Sequence, residues 1–203
     1  MDFAYTEVEE AFRRELAGWL RANLADHRKT YPPSDDELSL HPDKSFDAVR
    51  VWHRRMHAAN WIAIHWPAEY GGRGLSAGHE RAFREEAADY VTPDLGVAGG
   101  VTFGPIARSL LGHASPEFLQ RHIPKILSGE EIWCQFYSEP EAGSDLAGIR
   151  TRATRDGDHW ILNGSKIWSS GAHYADWAMC LARTDWDAPK HRGLTWFAVP
   201  TDA

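Results

Sequence analysis

The densest run of chemistry-bearing residues is Trp133-Cys134-Gln135-Phe136-Tyr137-Ser138-Glu139-Pro140-Glu141-Ala142-Gly143-Ser144-Asp145. Its first half is apolar and β-prone. Its second half carries a proline, a glycine and two hydroxyls, Ser138 and Ser144. The pattern predicts a strand running into a tight loop, where Gly143 lets the backbone come close to a bound group. Successive main-chain N–H groups in such a loop make a concave donor array suited to anionic or carbonyl oxygens. Donors fixed in advance stabilise charge that develops on a ligand during reaction. Taken alone, an ordinary strand-to-loop turn explains the run equally well.

A second cluster is Lys166-Ile167-Trp168-Ser169-Ser170-Gly171. Trp168 offers an aromatic wall, and Ser169 and Ser170 offer hydroxyls beside it. By itself a tryptophan of the core is the plainer reading of Trp168. Other patterns fall short of chemistry. Gly71-Gly72-Arg73-Gly74 does not follow a strand and is no dinucleotide fingerprint. No Gly-x-Ser-x-Gly elbow occurs, which leaves hydrolase chemistry without support. His53 and His57 are four residues apart on an expected helix, a spacing that metals use, but no acid completes a ligand set. The expectation is no metal.

The elements that must position these clusters follow from periodicity. Thr6 and Glu9 form a capping box, and Val8, Phe12, Leu16, Trp19, Leu20 and Leu24 recur at helical steps, predicting a helix to about Ala25. Residues 31–43 hold three prolines and read as a loop. Ser45 caps a helix with the stripe Val49, Trp52, Met56. The stretch 66–74 is turn-rich. Ser76 caps a third helix to about Tyr90. A Gly-rich apolar segment covers 95–103, Pro105 opens a helix that stops at Gly112, and Ser115-Pro116-Glu117 opens another ending near Gly129.

After Glu130 the period changes. Strands are expected over 132–138, 150–155, 159–162, 166–169, 177–183 and 194–199, with a turn at Asp156-Gly157-Asp158 and a hairpin at Asn163-Gly164. Helices first and strands afterwards predict an α+β chain: an all-helical domain over 1–130, then an antiparallel β domain over 131–203. The last strand lacks an evident partner, so the β domain reads as incomplete and the chain as truncated.

Composition bounds the partners. The 203 residues are 43% hydrophobic and 12% aromatic, which excludes a disordered chain. Lys and Arg total 22 against 29 Asp and Glu, a net charge of −7 with no basic stripe, which argues against nucleic acid. No apolar run reaches membrane-spanning length, and the acidic N-terminus is no signal peptide. The two cysteines, Cys134 and Cys180, sit in apolar stretches and read as reduced buried thiols, consistent with a cytoplasmic protein. Six of the ten tryptophans lie from Trp133 onward. An aromatic core accounts for most of them, and a flat aromatic ligand is the sharper alternative.

Taken together, three strings carry a family resemblance. Tyr137-Ser138-Glu139-Pro140-x-Ala142-Gly143-Ser144-Asp145 resembles the flavin-loop signature of the acyl-CoA dehydrogenases. Asn163-Gly164-x-Lys166-x-Trp168-x-Ser170 is similar to that family's second flavin segment, and Trp66-Pro67-x-Glu69-Tyr70-Gly71-Gly72-x-Gly74 to its N-terminal helix–loop. Pro124-x-Ile126-x-Ser128-Gly129 also fits. The resemblance spans nearly the whole chain in the family's order. It implies a flavin-dependent oxidoreductase that converts an acyl-CoA thioester to the trans-2-enoyl-CoA, by loss of an α-proton and passage of a β-hydride to flavin N5. It implies FAD held by Gln135, Tyr137, Ser138, Gly143, Ser144, Trp168, Ser169 and Ser170, with Tyr137 and Gly143 acting through the backbone and Ser170 near N5. Ser144 matches the position that touches the acyl-CoA pantetheine.

The resemblance also implies a C-terminal four-helix bundle, which this chain lacks. The family's catalytic glutamate lies there, so no residue here is nominated as the base. Glu139 and Asp145 match positions that shape the loop. Expected partners are the acyl-CoA substrate, a homo- or hetero-oligomer (dimer or tetramer), and electron-transferring flavoprotein as acceptor. Two readings compete with an enzyme half: a non-catalytic flavin- or acyl-CoA-binding subunit of a mixed oligomer, and an α+β domain that has lost its flavin.

Overall fold

The computed structural model describes residues 4–31, 45–90 and 92–202, Ser45 by its main chain alone. The loop expected over 31–43 lies outside these residues except for Tyr31, and so does the capping side chain of Ser45. The chain divides into two compact units, Met1–Leu95 with Pro116–Glu130, and Gly96–Ser115 with Glu131–Ala203.

The first unit is helical. Helix α1 spans Glu7–Thr30 and opens on the expected capping box, with the Glu9 N–H donating to Thr6 Oγ1 at 3.3 Å and the Thr6 N–H to the Glu9 carboxylate at 2.8 Å. It runs past the expected end at Ala25. The buried stripe Phe12, Leu16, Leu20, Leu24 continues to His27, three residues on and 2% exposed, whose ring lies against Trp52 and Tyr31. A histidine served as the next core residue, which an apolar pattern does not reveal. Helix α2 (Ser45–Ala58) buries Trp52 and Met56. Helix α3 (Ala77–Ala88) starts at the Ser76 cap and stops two residues before Tyr90. These helices share one core with Trp61, Ile64 and Ala82.

The turn-rich stretch 66–74 contains one 3-10 turn at Ala68–Tyr70. Gly72 is required there, since a Cβ would stand 2.3 Å from the Trp66 carbonyl oxygen. His53 on α2 donates from Nε2 to the Leu127 carbonyl at 2.9 Å, and its ring fills the space left by Gly129.

Burial pushes the His53 imidazole down to about 4. The folded state therefore resists protonation that the unfolded chain accepts near 6.5. The sign follows from linkage: the neutral-His53 contribution is fully present above pH 6.5 and is lost as pH falls toward 4. The shift is worth on the order of 3 kcal/mol at 1.36 kcal/mol per pKa unit. Urea midpoints of the helical unit should fall between pH 7 and 4.5, and His53→Gln should flatten that dependence. Parallel slopes for the two proteins would count against this assignment.

The second unit joins a short helical run to a sheet. Helix α4 (Gly96–Val101) leads into a π-helical turn, Thr102–Ile106, and then α5 (Ala107–His113). The expected helix start at Pro105 is therefore corrected. Pro105 sits inside the wide turn, where Gly104 (φ −81°, ψ −106°) breaks the helical geometry. A proline donates no N–H and cannot continue an α ladder, so a wider turn accommodates it. Thr102, fully buried, ties this turn to the sheet. Its hydroxyl donates to the Ala98 carbonyl at 2.7 Å and accepts from the Trp133 N–H at 3.0 Å. In the helical unit, α6 spans Pro116–Ser128 as expected.

The strands are β1 (Trp133–Phe136), β2 (Arg152–Asp156), β3 (His159–Asn163), β4 (Trp177–Arg183) and β5 (Leu194–Pro200). The sheet is mixed rather than antiparallel throughout. β2–β3 and β4–β5 are antiparallel, whereas β1 pairs parallel with β4 (Trp133 opposite Trp177) and β2 touches β4 in parallel at Arg152 and Arg183. The long connection from β1 to β4 carries the chain back to start β4 in the same direction, a route that a tight hairpin cannot make.

Gly157 (φ +59°) makes the β2–β3 turn as expected. The hairpin expected at Asn163-Gly164 does not form, and 166–169 is not a strand. Asn163 still belongs to β3, and Gly164 is not left-handed, whereas the expected turn needs positive φ at both positions. Cys134 and Cys180 are buried free thiols, and burial pushes Cys134 up to about 11. Among the described residues no helix is long and apolar enough to cross a membrane.

Candidate functional site

Gln135 lies on β1, half-buried, and the chain leaves the strand at Tyr137. The Tyr137 ring stacks on Trp196 at 6.2 Å, and its hydroxyl donates to the Met179 sulfur at 3.3 Å. Its side chain is thus spent on the sheet. A two-residue turn follows, closed by reciprocal main-chain bonds of 3.0 Å between Glu139 and Ala142. This turn delivers Gly143 and Ser144 to the surface. A Cβ at Gly143 would meet nothing within 4 Å, so the loop face is open to an incoming group. The N–H groups of Gly143 and Ser144 donate to no acceptor among the described residues, and the hydroxyls of Ser138 and Ser144 make no hydrogen bond there.

The second cluster is brought to this loop by one main-chain bond, from the Ile167 N–H to the Ser138 carbonyl at 2.9 Å. Trp168 follows, and it is not a core residue. It is 86% exposed and has φ +58°. A bulky side chain in left-handed backbone is strained, and such strain persists only where the surroundings impose it. The Ser170 N–H donates to the Trp168 carbonyl at 2.9 Å, folding the chain sharply around Ser169. Ser169 Oγ is buried and has no hydrogen-bond partner. Ser170 is exposed. Gly171 (φ +77°) faces Ala98 of α4, where a Cβ would lie at an ordinary 3.6 Å.

Beneath both clusters lies a polar hub that the sequence did not disclose. Lys166 Nζ donates to the Tyr137 carbonyl (3.0 Å), to Glu139 Oε1 (2.8 Å) and to the Leu181 carbonyl (2.7 Å). The Glu139 carboxylate also accepts the Arg150 N–H (2.6 Å), the Thr151 N–H (2.9 Å) and the Thr151 hydroxyl. Burial alone would raise the Glu139 pKa; the Lys166 ammonium, the Thr151 hydroxyl and the two amides overcome that and hold it at about 2. Glu139 therefore stays ionised and holds the loop, as the resemblance implies.

Asp145 pairs with Lys190 at the surface. A separate open cavity of about 490 Å³ lies between Ala147–Arg150, Arg183, Trp186 and Lys190, and its lining contains none of the eight expected site residues. Arg183 is buried there and donates to the carbonyls of Ala147 (2.7 Å), Lys190 (3.2 Å) and Ile149 (3.4 Å), which fixes the turn before β2.

Residues 6–130 match the acyl-CoA dehydrogenase N-terminal domain, and residues 134–203 the acyl-CoA dehydrogenase middle domain. The chain is 41% identical over 197 residues to acyl-CoA dehydrogenase IpdE1 of Mycobacterium tuberculosis, covering 97% of this chain and 50% of that protein. Among solved structures, it superposes on the ChsE4-ChsE5 complex of Mycobacterium tuberculosis with a TM-score of 0.77 at 33% identity, covering 99% of this chain and 48% of that one. It superposes on the Tcur3481-Tcur3483 steroid ACAD with a TM-score of 0.78 at 32% identity, covering 100% and 50%. The chain spans about half the length of the curated relatives it matches.

Proposed function

Because the chain belongs to the acyl-CoA dehydrogenase family, we propose that it supplies the flavin- and thioester-binding half of an enzyme that desaturates an acyl-CoA to the trans-2-enoyl-CoA. One observation carries this reading: an exposed, strained Trp168 and an unpartnered buried Ser169 hydroxyl are pinned beside a loop of open N–H and hydroxyl donors. That set suits a ligand with a flat aromatic body and a polar, electron-rich edge. The family uses FAD, and FAD has that shape. Bound FAD would supply the hydride acceptor.

The chain's own residues do the positioning. Ser138 and the Gly143 and Ser144 amides offer donors to carbonyl or anionic oxygens. Trp168 offers one aromatic face, and Ser169 and Ser170 offer hydroxyls at its edge. Gln135 and the Tyr137 main chain form the floor from which the loop rises. Ser144, at the outer end of the loop, is the residue we assign to the thioester's pantetheine arm. No residue of this chain is assigned as the base.

A second reading is a flavin-holding partner chain in a mixed oligomer that itself performs no chemistry. It draws on the two-chain composition of both solved relatives named above. One experiment separates the two. The chain is purified with FAD, and a chimera is made that continues it with the C-terminal half of IpdE1. Retained flavin absorbance in both, with anaerobic bleaching of the chimera by straight-chain or steroid-side-chain acyl-CoA thioesters, is the expected result. Flavin that no thioester bleaches favours the partner reading. Absence of flavin from both proteins sinks each of them.

A further inference from the structure

We propose that Lys166 is the positioning residue of this site: it sets the spacing between the donor loop and the Trp168–Ser170 wall, and flavin affinity depends on it without any contact to flavin. This rests on the reading that the two clusters hold a flavin.

An ammonium has three N–H groups, and all three are spent here on acceptors from two separate elements. Two bonds reach the loop, at the Tyr137 carbonyl and Glu139 Oε1, and the third reaches the Leu181 carbonyl on β4. The Lys166 side chain is only 9% exposed, and no donor remains for a ligand. The tie extends in both directions. Through Glu139 it grips Arg150 and Thr151 at the entry to β2. Through the next residue along the chain, the Ile167 N–H grips Ser138. Trp168 comes immediately after, in the one conformation of the segment that its own side chain disfavours.

The left-handed turn is thus clamped on its upstream side by four bonds within two residues. A neutral side chain of equal length would take this donor from two carbonyls and leave the Glu139 carboxylate with its amide and hydroxyl donors but no ammonium beside it. Among the described residues the hydrogen bond then left between loop and wall is that from the Ile167 N–H to the Ser138 carbonyl, so the two would part more readily.

The test uses Lys166→Met and the milder Thr151→Val, which removes one donor to Glu139. Residue-resolved amide exchange is measured on the flavin-free protein, and FAD dissociation constants by visible titration. Lys166→Met should speed exchange at Ile167 and at the Glu139–Ala142 turn together by at least tenfold, with β4–β5 amides unchanged, and weaken FAD at least tenfold. Thr151→Val should do the same by about threefold, and it decides the matter if Lys166→Met does not fold.

Wild-type exchange at either segment of the folded variant overturns the proposal. So does an unchanged FAD affinity when the wild type binds FAD. A wild type that binds no FAD sinks the flavin reading and the affinity claim with it, while the exchange data still decide whether Lys166 fixes the spacing.

Discussion

Trp168→Gly is expected to weaken FAD binding about tenfold while leaving the fold as stable as the wild type or up to about 2 kcal/mol more stable. The two effects have opposite signs because the residue has opposite relations to the fold and to the ligand. Within the protein its indole is 86% exposed and contributes little packing, yet its backbone sits at φ +58°. Left-handed backbone costs a non-glycine residue about 1–3 kcal/mol, and glycine adopts it freely. The freedom that glycine adds to the unfolded chain offsets about 0.4–1 kcal/mol of that gain. Toward a ligand, the indole face is what would be lost. An aromatic pair contributes about 0.5–1.5 kcal/mol beyond its buried area, so about tenfold in affinity is at stake. Urea denaturation and FAD titration of the same preparation check both halves. Unchanged affinity would remove Trp168 from the site, and a clear loss of stability would show that the indole packs on the protein after all.

Gly164→Ala should be among the most damaging single methyls in the sheet unit. Its Cβ would stand 2.2 Å from Thr151 Oγ1 and 2.7 Å from both Thr151 Cα and Cβ. Two of those atoms are backbone or branch point, and a rotamer change does not clear them. Overpacking of this kind costs about 1–3 kcal/mol. Thr151 would have to move, and it donates two bonds to Glu139, so the loop should loosen with it. Thermal unfolding should show a lower midpoint, and FAD affinity should drop alongside. Gly143→Ala is the matched control. Nothing lies within 4 Å of its Cβ, so stability should hold while a group docking on the loop face meets the added methyl. Equal thermal midpoints for Gly164→Ala and wild type would mean that the β3 exit does not cross Thr151 as described.

Periodicity and capping made the helices legible. The Thr6–Glu9 box and the Ser76 cap stand where local chemistry puts them, because a cap is satisfied within four residues. The change to strands after Glu130 was legible for the same reason: alternation is a property of neighbours. The site strings at 137–145 and 163–170 were readable as motifs, and the order helices-then-sheet followed from the change of period after Glu130. The packing of residues 96–113 with the sheet was not legible, since it runs through Thr102 and Trp133, thirty-one positions apart.

Three decisions belonged to the tertiary structure alone. Asn163-Gly164 has the composition of a hairpin turn, but its glycine serves a close approach to Thr151 from a distant part of the chain. Trp168 has the residue type of a core position, but it sits at φ +58° with its indole 86% exposed. Lys166 and Glu139 look like surface charges, yet they are buried against each other because each finds all its partners on other elements. The sequence by itself determined most of the elements, the family and the motif strings, since those are set by local pattern. Which faces those residues show was settled by non-local hydrogen bonds and contacts, which no window of the sequence contains.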